Sequence, residues 1–287
     1  MELRKVGIVG CGLMGSGMAQ VSADFLHTTL GRTARRVFRL GLSGSYCRDE
    51  VTVRAGIEAG MNYVFLYRWH RHTVRVLREV LPGNREKYLV ATGVANLGKW
   101  IIQRGLENYL RDLRTDYIDV FHLFWVRTGG LGGRTLELLQ RFKEDGKIKY
   151  IAISTHVRTY AAELVRQGKL DVLMIRYNAA HRGAEEEIFP SWPSSQPGVV
   201  SYTATRWGKL LKRPRRWPAS DRIPTAGDCY RFVLSNPNVH VCLTAPRSSQ
   251  ELKDNLSAIE RGPLSGEEME FMRRFGDAVH EQSSFFF

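Results

Sequence analysis

Apolar and polar residues alternate along the chain in a rhythm that is typical of repeated β/α units. From Val37 onward, short apolar runs that predict strands are followed by amphipathic stretches that predict helices. The predicted strands are residues 37–42, 62–66, 88–91, 117–123, 148–154, 170–175, 199–202 and 239–243. Strands that alternate with helices pair in parallel through right-handed crossovers. Eight such units favour a closed (β/α)8 TIM barrel of the α/β class over an open sheet, although periodicity alone does not decide between them.

The amphipathic stretches and their flanking residues also predict where helices begin and end. The predicted helices are residues 50–59, 73–81, 102–113, 135–144, 157–165, 249–259 and 266–279. Ser249 is a suitable N-cap for the sixth of these, and Ser265 and Glu268 have capping-box spacing for the last. Residues 182–224 are irregular and rich in Pro, Ser and Trp. A segment of that length predicts an active-site lid, with a plain surface excursion as the alternative.

The composition fits one large α/β domain. The chain has 287 residues, of which 43% are hydrophobic and 25% charged, and its formal net charge is +13. A basic balance is compatible with nucleic acid, with a phosphorylated cofactor or with a solvated surface. Because the sequence has no zinc-finger spacing, RNA-binding signature or long polybasic tail, we expect no nucleic-acid partner.

The cysteines and the apolar runs bear on the expected cellular location of the protein. Cys11, Cys47, Cys229 and Cys242 are far apart, so neither a disulfide framework nor a metal site is expected. A reducing, cytoplasmic location is the simplest interpretation. No apolar run reaches the ~20 residues that a bilayer requires, so we expect no membrane partner.

The N-terminal residues carry a different pattern. An apolar run at 6–9 is followed by Gly10-Cys11-Gly12-Leu13-Met14-Gly15, which resembles the dinucleotide fingerprint at the start of a 3-hydroxyacyl-CoA dehydrogenase. Five glycines interrupt the apolar stretch, which argues against a signal peptide. A working fingerprint needs a second strand with an acidic residue ~20 positions on, and Asp24 comes too early. We therefore predict a Gly-rich βα extension over 1–25, followed by the barrel over 26–287.

Four stretches, in order, carry a second resemblance. They are residues 30–42, 111–120, 143–154 and 243–256. Together they are similar to the aldo-keto reductases, and the similarity covers about residues 26–280. The resemblance implies a barrel that binds NADP(H) in extended form at its C-terminal mouth and reduces aldehydes and ketones. In that family an Asp, a Tyr, a Lys and a His carry the chemistry.

This sequence departs from the family pattern at all four catalytic positions. The family's Asp falls on Phe65, its Tyr near His70, its Lys on Gly93 and its His on Phe124. Proton donation needs an acid with a tuned pKa, so the usual acid chemistry is not expected here. Tyr67, His70 or His122 are the candidate replacements. The alternatives are a lid contact for the first two and a core histidine for the third.

The residues that the resemblance assigns to cofactor binding are better preserved than the catalytic ones. Ser154 matches a carboxamide-binding Ser, and Tyr202 matches the Tyr that stacks on the nicotinamide. Arg247 and Ser248 match the segment that holds the 2′-phosphate, where a guanidinium supplies paired donors. The full set of expected cofactor-binding residues is Ser154, Tyr202, Thr203, Arg247, Ser248, Glu251, Asp254 and Asn255. His181 and Arg182 are further candidates for meeting an anionic substrate.

Three functions remain open on the sequence. The first is an NADP(H)-dependent oxidoreductase that acts on a small-molecule carbonyl compound by altered chemistry. The second is a catalytically inactive barrel that binds NADP(H) or a metabolite. The third, suggested by residues 6–21 alone, is an NAD-dependent hydroxyacyl-CoA dehydrogenase. The sequence predicts neither the substrate nor the oligomeric state.

Overall fold

Eight parallel strands form a closed barrel in the computed structural model, which describes residues 25–192 and 195–284. The barrel strands are β3 (Leu40–Ser43), β4 (Tyr63–Phe65), β5 (Leu89–Ala95), β6 (Ile118–Phe124), β7 (Ile148–Ser154), β8 (Val172–Arg176), β9 (Gly198–Tyr202) and β10 (Val241–Thr244). They pair in chain order, and β10 closes the ring by pairing with β3. The predicted (β/α)8 barrel is confirmed.

Helices lie between the strands and pack against the outside of the barrel. They are α1 (Glu50–Glu58), α2 (Arg71–Val80), α3 (Lys99–Leu113), α4 (Gly133–Glu144), α5 (Arg158–Arg166), α6 (Ala184–Glu187), α7 (Ala226–Leu234), α8 (Ser249–Glu260) and α9 (Gly266–Ser284). The capping box of α9 is present, because Ser265 N donates to Glu268 and Glu268 N donates to Ser265 Oγ. The N-cap of α8 is Ser248 rather than the predicted Ser249, since Ser248 Oγ accepts from Glu251 N.

The predicted strand 37–42 is divided in the structure. Its first part, β2 (Arg36–Phe38), pairs antiparallel with β1 (His27–Thr29), and only the second part enters the barrel as β3. The division falls at Arg39, whose Nη2 donates to the carbonyls of Leu234 at 2.7 Å and Val239 at 2.8 Å. Burial lowers the pKa of Arg39 to about 10. The guanidinium thus ties the start of the barrel to the segment before β10.

The hairpin of β1 and β2 closes the N-terminal end of the barrel. Leu30 and Val37 are fully buried in the same apolar cluster as the inward residues of the strands. Along β6, Val120 and Phe124 belong to this inner cluster, whereas Phe121 and Leu123 pack against the helices. With its bottom sealed, the barrel is open to ligands at its C-terminal mouth.

The helix α7 was not predicted, and its burial explains why. Every residue from Gly227 to Leu234 is buried, so the segment has no polar face to reveal helical periodicity. Even Arg231 is buried, and its guanidinium forms a paired contact with Glu268 at 2.7 and 2.9 Å. The predicted lid segment 182–224 contains β9 and the short α6, with irregular stretches around them.

Two expectations concern what the described residues lack. Over 25–192 and 195–284, no helix is both long and apolar enough to cross a bilayer, and no cluster of metal-ligand side chains occurs. Cys47, Cys229 and Cys242 are buried free thiols. The Gly-rich motif at Gly10–Gly15 and Cys11 lie outside the described residues, so the N-terminal extension remains a prediction.

Candidate active site

A cavity of 490 Å³, here called the mouth cavity, lies where the barrel strands end. Its walls include the last residues of six barrel strands, β3, β4, β6, β7, β8 and β9. These residues are Ser43, Phe65, Phe124, Ser154, Arg176 and Tyr202. Carboxyl ends of barrel strands are where enzymes of this architecture place their chemistry. The two sides of the cavity differ in the kinds of side chain that form them.

The side formed by β4 to β6, here called the aromatic half, consists of stacked and edge-on rings. Phe65 and Phe124 are buried, with ring centroids 6.0 Å apart. Tyr67 contacts both rings edge-on, at 5.2 and 5.4 Å, and it also stacks on Trp69 at 4.5 Å. Burial raises the pKa of Tyr67 to about 12. Of the three candidate acids, Tyr67 is the one that lines the mouth cavity.

His70 lies behind the cavity wall. Its side chain is buried, and its Nδ1 accepts a hydrogen bond from the backbone N–H of Tyr67 at 3.0 Å. Its carbonyl accepts from Val74 N in the first turn of α2. Burial lowers the pKa of His70 to about 4, so the ring is neutral at neutral pH. The contact holds the loop that carries Tyr67, and the imidazole is not among the residues that line the cavity.

His122 points into the barrel but stays below the cavity. Its ring is fully buried and stacks under Phe124, with centroids 5.7 Å apart. Nδ1 lies 3.2 Å from the carbonyl oxygen of Thr92, and Nε2 has no partner among the described residues. Burial lowers the pKa of His122 to about 4. The structure therefore brings Tyr67 to the cavity and leaves His70 and His122 outside it.

Gly93 leaves no room for a side chain in this backbone. A Cβ built there would overlap the carbonyl oxygen of His122 and lie 2.7 Å from the carbonyl carbon. The two residues face each other across β5 and β6. The hydroxyl of Tyr109 donates to the Gly93 carbonyl at 3.1 Å. Close strand approach therefore occupies the place where the family resemblance puts a lysine.

The side formed by β7 to β9, here called the polar half, carries the hydroxyls and a guanidinium. Tyr202 lines the cavity, and burial raises the pKa of its hydroxyl while a hydrogen bond with Ser154 opposes the rise. Thr203 follows with a left-handed backbone, φ +59°, and its Oγ1 donates to the Tyr202 carbonyl. Arg176 completes this half.

A second cavity of 780 Å³ extends the mouth cavity toward the start of α8. The two share Tyr46, Thr205, Trp207, Tyr230 and Ala245, so they form one continuous groove, here called the mouth groove. The far end is lined by four of the expected cofactor residues, namely Arg247, Glu251, Asp254 and Asn255. Arg247 N donates to Glu251 at 2.8 Å, and Asn255 Nδ2 donates to Thr244 Oγ1 at 3.2 Å.

Some expected residues lie elsewhere, and others were missed. Ser248 caps α8 and is not among the lining residues. Arg182 is tied to Asp277 at 2.6 Å, and His181 contacts Asn178 Oδ1 at 3.2 Å, so neither lines the mouth groove. Sequence reasoning missed several lining residues, among them Tyr46, Trp125, His156, Arg176 and Trp207. Arg176 did leave a signal in the sequence, as the first polar residue after a predicted buried strand.

A sequence comparison decides the family. The aldo/keto reductase family profile matches residues 69–222, which is more than half of the chain. This chain belongs to the aldo/keto reductase family. Within the family, the chain is 23% identical over 282 residues to the L-galactose dehydrogenase of Arabidopsis thaliana, covering 80% of this chain and 86% of that protein. It is 26% identical over 194 residues to the methylglyoxal reductase YeaE of Escherichia coli, covering 65% and 67%.

Solved structures of the family agree with the barrel. The holo form of the aldo-keto reductase AKR11C1 from Bacillus halodurans superimposes with a TM-score of 0.73 at 23% identity, covering 87% of this chain and 95% of that one. An aldo/keto reductase from Klebsiella pneumoniae, in complex with NADP and acetate, gives a TM-score of 0.70 at 22% identity with the same coverage. These solved structures therefore agree with the closed (β/α)8 barrel of this aldo/keto reductase family member.

Proposed function

We propose that this chain is an NADP(H)-dependent oxidoreductase that acts on a small carbonyl compound by chemistry altered from that of its family. The observation that carries the proposal is the mouth groove, which runs without a break from Arg247 to Tyr202. A phosphorylated dinucleotide needs cationic donors at one end and a ring-sized polar cavity at the other. Relatives of the same fold from Klebsiella pneumoniae were solved with NADP and with NADPH.

The donors in the mouth groove fit such a cofactor. Arg247 and Lys212 line its far end, where a guanidinium and an ammonium would hold the 2′-phosphate and its neighbours. Asn255 and Asp254 lie on the next turns of α8 and supply an amide and a carboxylate for adenine. Ser154 and the ring of Tyr202 would hold the nicotinamide end. When bound, NADPH supplies a hydride, and the remaining steps belong to this chain.

Tyr67 is the group that we assign to proton donation. Its side chain lines the mouth cavity, and its hydroxyl forms no hydrogen bond with the described residues. The pKa of about 12 makes it a weaker acid than a tyrosine that a lysine activates, and Gly93 supplies no such lysine. We therefore expect slow reduction of simple aldehydes. Phe65 and Phe124 pack edge-on against the ring of Tyr67 but cannot move a proton.

The pKa of Tyr67 sets the expected pH dependence. A donor with a pKa of about 12 stays protonated from pH 6 to 9, so the rate of turnover should stay flat over that range. A histidine donor would instead lose its proton above neutral pH, and the rate would fall. Measuring kcat across these pH values therefore tests the identity of the donor.

The decisive experiment joins cofactor binding to turnover. NADPH should bind with enhanced nicotinamide fluorescence, and Tyr67→Phe should lower kcat ~10²–10⁴-fold with NADPH affinity retained. Tyr88→Phe is the matched control, because Tyr88 lies before β5 at the opposite end of the barrel. Turnover that survives Tyr67→Phe would mean that another group donates the proton. Absence of NADPH binding would remove the proposal itself.

A second candidate function has its own support. The aromatic half offers apolar rings and a glycine where the family resemblance puts three of its catalytic side chains. A barrel that binds NADP(H) or a metabolite without catalysis would not need ionisable side chains at these three positions. NADPH binding without oxidation by any carbonyl compound would favour this function. The hydroxyacyl-CoA dehydrogenase alternative rests on residues 6–21, which lie outside the described residues, and the sequence predicts no second strand of a dinucleotide fold after them.

A further inference from the structure

Arg176 is a cation without a counter-ion in the mouth cavity. It is the last residue of β8, it is half-buried, and it lines the cavity wall. Among the described residues it forms no hydrogen bond and no ion pair, whereas most buried or half-buried arginines of the chain do. A half-buried guanidinium that has no partner in the protein is available to bind an anion.

The field of Arg176 reaches several groups around it. Its charge contributes, after burial, to the lowered pKa of His156 and of His181. Burial lowers the pKa of Arg206 and Arg176 adds to that effect, while Arg176 opposes the rise that burial causes in the pKa of Tyr202. No Asp or Glu belongs to the described residues that line the mouth cavity. The positive potential in this half of the cavity is therefore not neutralised by the protein.

The position of Arg176 separates it from the phosphate end of the mouth groove. In the ladder between β8 and β9, Arg176 pairs with Tyr202, the residue that we assign to the nicotinamide end. The phosphate end has its own cations, Arg247 and Lys212, and Arg176 does not line that second cavity. An anion at Arg176 would consequently sit beside the reacting carbonyl group.

We infer that the substrate of this protein is a carbonyl compound that also carries a carboxylate, and that Arg176 binds the carboxylate. The inference rests on the proposed function, because it names the substrate class of the same cavity. The guanidinium offers paired donors that match a carboxylate in geometry. Phe65, Tyr67 and Phe124 face the cavity from the aromatic half and would contact the apolar body of the compound.

A matched pair of probes isolates the carboxylate. Phenylglyoxylate carries a ketone, a ring and a carboxylate, and methyl phenylglyoxylate keeps the first two but loses the charge. Their affinities for the full chain are to be measured by calorimetry, with quenching of Trp125 and Trp207 in the cavity wall as a second readout. We expect the acid to bind at least ~10-fold more tightly than the ester.

Substitutions assign that preference to one residue. Arg176→Met should lower the affinity for the acid roughly 10- to 100-fold and leave that for the ester unchanged. Arg176→Lys should keep part of the preference, which also guards against misfolding of the methionine variant. Arg166→Met, an exposed site at the end of α5, removes the same charge away from the cavity and should change neither affinity.

Two results would overturn the inference. One is equal affinity of the unmodified protein for acid and ester, or no binding of either. The other is an Arg176→Met variant that keeps the preference for the acid. If that variant also binds NADPH at least ~10-fold more weakly, Arg176 serves a cofactor phosphate instead.

Failure of the proposed function gives a different pattern. Acid binding through Arg176 without any oxidation of NADPH would leave the anion site in place and remove the oxidoreductase activity. Oxidation of NADPH by neutral carbonyl compounds, without preference for the acid, would keep the activity and remove the anion site. Binding and turnover are measured separately, so the two outcomes cannot be confused.

Discussion

The aromatic half and the polar half of the mouth cavity differ in how much of the family pattern they keep. On the aromatic half, Phe65, Gly93 and Phe124 stand where the resemblance puts ionisable groups, and strand packing fills the space. On the polar half, Ser154 and Tyr202 keep their expected types and line the cavity. The comparison teaches that a barrel can keep a groove suited to a cofactor while the residues opposite it become apolar.

The largest expected effect tests the packing of the aromatic half. In Gly93→Ala, the new Cβ would overlap the His122 carbonyl, and the backbone of two paired strands would have to move. We expect a loss of at least about 3 kcal/mol of unfolding free energy, measured by urea denaturation. Gly266→Ala is the control, because its Cβ would meet open space at the start of α9. A loss of unfolding free energy in Gly93→Ala that is no larger than in Gly266→Ala would contradict the close contact between Gly93 and the His122 carbonyl.

The next effect concerns the buried imidazole beneath that half. His122 has a folded-state pKa of about 4, below the ordinary value of 6.5, so the unfolded chain binds a proton first as the pH falls. Stability is therefore lost between pH 6.5 and about 4, by roughly 2–3 kcal/mol for this group.

The non-titrating variant His122→Leu isolates this contribution. Its unfolding free energy should fall less steeply below pH 6.5 than that of the unmodified protein, and the two slopes should agree from pH 7 to 8. Chemical denaturation at a series of pH values measures both slopes. Parallel curves throughout would indicate that His122 takes up a proton in the folded state at an ordinary pH.

A smaller effect, on cofactor affinity, is expected from a substitution at the far end of the mouth groove. Arg247→Ala should remove the preference for NADPH over NADH, because in the proposed function the guanidinium would pair with the extra phosphate. The expected loss of NADPH affinity is about 2 kcal/mol, or roughly 30-fold, with NADH affinity unchanged. Lys253→Ala removes a cation from the exposed face of the same helix and serves as the control. Equal affinity of the unmodified protein for both cofactors would contradict the assignment.

Substitutions in the N-terminal glycine motif are expected to have no effect on cofactor affinity. Replacing Gly10, Gly12 and Gly15 with alanine should leave NADPH affinity unchanged, because the fingerprint lacks the second strand that a dinucleotide site needs. Fluorescence titration of the triple variant, with its circular dichroism as a check on folding, measures this. A folded triple variant that no longer binds NADPH would move the cofactor site out of the barrel.

The barrel strands were predictable as short apolar runs, and most of the outer helices as amphipathic stretches. The apolar runs located β7 at its observed bounds and the fully buried β6 within one residue, and helical periodicity located α4 within two residues. It missed α7, in which nearly every residue is buried, and it merged β2 with β3 because the break at Arg39 is set by distant carbonyls. Contacts between residues some 200 positions apart leave no trace in local pattern.

The site was predictable in part, for related reasons. Residues at the ends of predicted strands, such as Ser154 and Tyr202, reach the cavity because strand direction fixes their place. His70 and Tyr67 are three residues apart, yet only Tyr67 faces the cavity, because the loop folds back so that the imidazole accepts from the Tyr67 backbone. Loop geometry of this kind is not encoded in spacing.

The pairing of β3 with β10, which closes the barrel, has a consequence for how the chain folds. Cys242 pairs with Leu40, and the Arg39 guanidinium reaches Leu234 and Val239, so the ring closes only after nearly the whole chain is available. Contacts of such long sequence separation form late. During synthesis, β3 on one side and β9 on the other remain open sheet edges until β10 emerges from the ribosome. A chain that ends before Val241 would keep both edges exposed, and such edges are templates for aggregation.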